Sequence, residues 1–98
     1  MAALERDFQA KLVKEIKERF PGCYVLKNDP TLNQGIPDLT VLYRDKWATL
    51  ECKRNSKSSK RPNQERNVEI MEKMSFSRFV FPENKEEVLN DLQRAFES

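Results

Sequence analysis

Apolar residues recur at steps of four from Leu4 through Phe8 and Leu12 to Ile16, with Val13 and Phe20 on the flank. This spacing predicts an amphipathic helix from about Leu4 to Phe20, ended by Pro21-Gly22. The period then changes. Tyr24-Val25-Leu26 reads as a short strand, and Asn28 to Gly35 as a polar loop rich in turn formers. Two strands follow, roughly Asp38–Arg44 and Trp47–Lys53. Asn55–Lys60, all serine, lysine and asparagine, reads as a mobile loop. A second helix begins near Pro62, a residue suited to the first helical turn, and runs to about Met74. A strand over Arg78–Phe81 and a helix from about Glu83 to Phe96, with acids at its start, complete the chain. The predicted order is αβββαβα, an α/β sandwich on a mixed sheet. With 98 residues and neither repeats nor an internal linker, one domain is expected.

Alternation within the two central strands predicts how they pair. Leu39, Val41 and Tyr43 form one apolar set, and Ala48, Leu50 and Cys52 another. With Asp45-Lys46 as a two-residue hairpin loop, Arg44 faces Trp47, Tyr43 faces Ala48, Val41 faces Leu50 and Leu39 faces Cys52. Both apolar sets then share one sheet face, as burial requires. The other face receives Asp38 opposite Lys53 and Thr40 opposite Glu51. Asp38 and Glu51 become diagonal neighbours, about 7–8 Å apart at the backbone, within reach of a shared ion. Asp45-Lys46 is not a favoured hairpin turn, so a bulge near the tip is an alternative.

Charge adds a second theme. The net charge is only +2, but Lys53, Arg54, Lys57, Lys60, Arg61 and Arg66 stand against the single acid Glu65 in one stretch. From Glu83 to Glu97 the balance reverses. The basic stretch is either a solvated loop or a surface for a polyanion such as nucleic acid. Cys23 and Cys52 lack CxxC spacing and histidine is absent, which argues against the usual zinc sites. Cys52 alternates with Leu50 and is expected to pack as a small apolar residue. No apolar run is long enough to span a bilayer or serve as a signal peptide, so a soluble intracellular protein is expected.

The candidate chemistry lies where these themes meet. Asp38 opens one strand, while Glu51 and Lys53 lie two residues apart at the end of the next. Phosphodiester hydrolysis needs an activated water, neutralised charge on the phosphorus and a stabilised leaving oxygen. Mg²⁺ is held by one or two carboxylates completed by waters and phosphate oxygens. Asp38 and Glu51 are the candidate metal ligands, with the backbone carbonyl of Cys52 beside them. Lys53 is placed to orient the water or stabilise developing charge. For Glu-x-Lys alone, a salt-bridged strand edge is the better explanation. Glu5 falls near the centre of the arc formed by Phe8, Leu12, Val13 and Ile16 at about 100° per residue. A carboxylate there has either a task or only the preference of acids for a helix N-terminus.

Gly35-Ile36-Pro37-Asp38-Leu39 followed by Glu51-Cys52-Lys53 resembles the PD-(D/E)XK nuclease superfamily, and more narrowly the small stand-alone VRR-NUC domains of phages and bacteria. The resemblance runs in order from about Leu4 to Met74. It implies an αβββαβ(α) restriction-endonuclease-like core, with Glu5 at the start of the first helix and Gln64 at the opening of the next as site residues. It further implies DNA cleavage with Mg²⁺ or Mn²⁺, action on Holliday junctions or other branched DNA, a homodimer, and the cytoplasm of a phage-infected or bacterial cell. Gln64 would contact the water or phosphate, or else face solvent. Arg54, Lys57, Lys60 and Arg61 would meet the DNA. Two other readings stand beside this one: a subunit active only with a partner, and a non-catalytic DNA-binding relative. The pair of acids weighs against the second. Trp47, at the hairpin end remote from Glu51, fits packing or a dimer contact as well as DNA.

Overall fold

A computed structural model describes residues 5–98 of the chain. Helix α1 (Glu5–Arg19) leads into strands β1 (Tyr24–Lys27), β2 (Leu39–Tyr43) and β3 (Lys46–Cys52). Helix α2 (Pro62–Met74), strand β4 (Ser77–Val80) and helix α3 (Lys85–Glu97) follow. The expected order αβββαβα is the one observed. Leu4, expected on the apolar face of α1, lies outside the described residues.

The sheet has the order β1-β2-β3-β4; the first three strands are antiparallel and β4 runs parallel to β3. Only the β3–β4 pair needs a crossover connection, and α2 supplies it. One sheet face carries Leu39, Val41, Ala48, Leu50, Cys52 and Val80, all buried. Phe8, Leu12 and Ile16 of α1 and Val88, Leu89, Leu92 and Phe96 of α3 pack against it in one core cluster. Phe20, Tyr43 and Phe96 close its far end, with ring centroids 5.2–5.5 Å apart. Among the described residues, no helix is long and apolar enough to cross a membrane.

Helix α2 covers the β3–β4 half of the opposite face and is fastened at both ends. Ser75, just past its C-terminus, donates its hydroxyl to the Trp47 carbonyl at the start of β3. Under the middle of the helix, Thr49 Oγ1 donates to Ser77 Oγ at 2.8 Å, bridging the parallel strands. Trp47, half-buried beside this anchor, belongs to the hairpin end, far along β3 from Glu51.

The β2–β3 register differs from the expected one by two residues. Leu39 pairs with Leu50, Thr40 with Thr49, Val41 with Ala48 and Tyr43 with Lys46. The loop is therefore Arg44-Asp45, not Asp45-Lys46, and Arg44 takes the left-handed backbone at φ 59°. Its guanidinium lies 4.9 Å from the Tyr43 ring centroid. The apolar faces are unchanged, because a shift of two preserves which side each residue faces. The polar partners do change. Thr40 faces Thr49 instead of Glu51, and one further step along the ladder sets Asp38 directly across from Glu51 instead of Lys53.

Candidate active site

Four segments converge where β2 begins and β3 ends. Pro37 is fully buried and delivers Asp38 to the start of β2. Asp38 Oδ2 accepts the Cys52 N–H at 2.9 Å, in effect a ladder bond just beyond the last backbone pair. In an extended strand a residue's N–H and C=O lie on the same edge, so the Cys52 carbonyl also faces the Asp38 side. The Cys52 thiol packs in the core, its pKa pushed up to about 12 by burial and then by the Asp38 charge, so it is not a nucleophile.

Asn28, at the end of β1, holds the Pro37-Asp38 backbone. Its Nδ2 donates to the Pro37 carbonyl at 2.9 Å and to Thr40 Oγ1 at 2.8 Å. Its own N–H donates to the Asp38 carbonyl at 2.8 Å. Nothing in the spacing between Asn28 and Pro37 reveals this link, since β1 and β2 must pair before the two meet.

Glu51 is only 3 % exposed, an unusual state for a carboxylate. Gln64 Nε2 donates to its Oε2 at 3.1 Å, and Lys53 Nζ stands 3.8 Å from the same oxygen. Its Oε1 is buried and has no hydrogen-bond partner among the described residues. Burial raises the Glu51 pKa to about 7; the Asp38 charge adds to the rise and Lys53 opposes it. The Asp38 carboxyl is also raised by burial, against the Cys52 N–H and the charges of Lys53 and Lys27. Two neighbouring acids whose burial disfavours their charge, one with an orphaned oxygen, form an arrangement that a cation would satisfy.

Lys53 is also buried, and its ammonium donates to Gln64 Oε1 at 2.9 Å. That oxygen accepts the Arg61 N–H as well, at 3.2 Å, which fixes the start of α2. Gln64 is therefore a bridge. Its two ends hold Lys53 and Glu51, and its side chain also lines the cavity over the two acids. The reach of the amide explains this, since Oε1 and Nε2 each meet a different partner.

Glu5 stands back from the pair. It is largely exposed, yet partial burial and the Asp38 charge raise its pKa while Lys53 and Arg54 lower it, so it senses the same field. Among the described residues, no three Asp, Glu, Cys or His side chains gather closely enough to hold an ion. The donor set at hand is two carboxylates and a carbonyl. That suits Mg²⁺ or Mn²⁺ completed by waters and substrate oxygens, and it does not suit a closed all-protein cage.

Arg54, Lys57, Lys60 and Arg61 are all exposed. The Lys60 ammonium lies 4.8 Å from the Phe79 ring centroid and 6.0 Å from that of Phe81. Within the loop expected to be mobile, Glu83 accepts both the N–H and the hydroxyl of Ser56. A cavity of about 480 Å³ opens over Asp38 and Glu51 between residues 30–36 and the start of α2. This cavity has no signature in the sequence.

No protein-family model matches the chain, and no curated protein does.

Proposed function

We propose that the protein is a metal-dependent DNA endonuclease of the PD-(D/E)XK type, acting on branched DNA such as four-way junctions as a homodimer. The observation that carries this reading is Glu51: a carboxylate buried across from Asp38, with one oxygen lacking a partner among the described residues. A salt-bridged strand edge would leave no such orphan.

Asp38, Glu51 and the Cys52 carbonyl would hold Mg²⁺ or Mn²⁺. When bound, the ion lowers the pKa of a coordinated water and polarises the phosphate. Asp38 is kept in place by the Cys52 N–H and by Asn28 behind its backbone. The Lys53 amine stands beside Glu51, placed to face the negative charge that develops on the phosphate oxygens. Gln64 holds the ammonium and the carboxylate apart and in register. Glu5 adds negative charge at the rim, and Arg54, Lys57 and Arg61 offer contacts to flanking phosphates. The homodimer follows from symmetry: a four-way junction needs two matched cuts, and two copies supply two sites.

The test is cleavage of a labelled four-way junction beside linear duplex of matched sequence, in Mg²⁺, Mn²⁺ and EDTA, with Glu51→Gln as control. Metal-dependent cutting of the junction, lost in the variant, is expected. Binding without cutting of any DNA would overturn the enzymatic reading, and cutting that survives in Glu51→Gln would overturn this site. Sedimentation of the protein alone reads the homodimer directly.

A further inference from the structure

The cavity above Asp38 and Glu51 is larger than hydrolysis at a phosphate requires. A water takes about 30 Å³, so an ion with four waters and a phosphate group fills on the order of 200 Å³. The cavity holds about 480 Å³. The remaining space carries one charged side chain in its lining, that of Arg61. It is bounded by Pro30, Thr31, Gln34 and Ile36 on one side and by Arg61 and Asn63 on the other.

These walls are built against each other. Gly35, at φ +81°, brings its backbone so close to α2 that a Cβ there would lie 2.8 Å from Asn63 Cγ. Asn67 Nδ2 donates to the Gln34 carbonyl at 3.3 Å, a second tie between loop and helix. The lining matches a particular chemistry: Pro30 and Ile36 offer apolar surface for a ring face, while Thr31, Gln34 and Asn63 offer hydroxyl and amide groups that both donate and accept. A nucleotide stacked in a duplex points its base toward the helix axis, away from a protein that grips its phosphate. It would leave this space empty.

We propose that this part of the cavity is a nucleoside subsite. It receives the base and sugar next to the scissile phosphate once that nucleotide has left the stack. The inference rests on the nuclease reading and adds to it a requirement for local unstacking at the cut, which costs least where pairing is already broken. The mixed amide and hydroxyl lining accepts more than one base.

The experiment uses 2-aminopurine, whose fluorescence rises when it leaves a base stack. It is placed in turn at each position flanking the mapped cut in a DNA that the full-length protein cleaves. Binding is read in Mg²⁺ with Lys53→Met, which keeps the buried stem of the lysine, or with Asp38→Asn should Lys53→Met not fold. A several-fold rise at the one position beside the cut is expected. Thr31→Trp, a replacement on an exposed loop residue that fills the subsite, should abolish the rise and lower kcat/KM about tenfold, the scale of one lost base contact. A flat scan on DNA that the protein does cut overturns the subsite and leaves the nuclease reading standing. Failure to cut any DNA overturns both.

Discussion

Glu51 makes the metal-free protein sensitive to pH in a direction that can be worked out. Its pKa lies at about 7 in the fold against 4.5 ordinarily. An acid raised in this way favours the folded state when protonated, so its contribution is fully present below pH 4.5 and is lost as pH rises through about 7. The gap corresponds to about 3 kcal/mol at pH 8. The attraction of Lys53 at 3.8 Å is already contained in that value. Glu51→Gln removes the ionisation and keeps an acceptor for Gln64 Nε2. In EDTA at pH 8 the variant should therefore be more stable than the parent by about 3 kcal/mol, a urea-midpoint gain of roughly 1–3 M for the slopes of small domains. At pH 4.5 most of the difference should vanish. Trp47, the sole tryptophan, gives the fluorescence signal. Adding Mg²⁺ at pH 8 should stabilise the parent and not the variant, since only the parent keeps both carboxylates. A variant no more stable than the parent at pH 8 would refute the claim that Glu51 is held in a fold that disfavours its charge.

Other outcomes follow from the same geometry. Asn28→Ala frees the Pro37-Asp38 backbone, so calorimetry should show divalent-metal affinity falling about tenfold or more, the scale of a lost supporting contact, with DNA affinity nearly unchanged. Unaltered metal binding would remove Asn28 from the site. Neutralising Lys57, Lys60 and Arg61 together should flatten the slope of log affinity against log salt by about 2.7 if each meets a phosphate. A change nearer 2 would mean that Lys60 remains over Phe79, and no change would turn the loop away from DNA. Gly35→Ala meets both a left-handed backbone and the Asn63 side chain, so a loss of about 1–3 kcal/mol is expected in denaturant melts. Wild-type stability there would contradict the close contact between loop and helix.

Local pattern carried much of the architecture. The Pro62–Met74 helix emerges at its expected bounds because the fit of a proline to a first helical turn is a local property. Apolar alternation placed Leu39, Val41, Ala48, Leu50 and Cys52 on one buried face, and the same alternation put Asp38, Glu51 and Lys53 on the other. Alternation has period two, however, and cannot distinguish registers that differ by two. The choice fell to the loop at Arg44-Asp45 and to the bond from Cys52 to Asp38, which together set Asp38 across from Glu51.

Everything that gives the acids their character depends on segments distant in the chain. Asn28 reaches Pro37 only after β1 pairs with β2, and Gln64 reaches Glu51 and Lys53 only because α2 crosses over β3. Burial of Glu51, its orphaned oxygen and the cavity over it arise when the 30–36 loop closes on the start of α2. Residue types and their order are legible in a sequence because they follow from local periodicity. Desolvation and shared hydrogen bonds are not, because each is a property of the groups that the fold brings around a side chain.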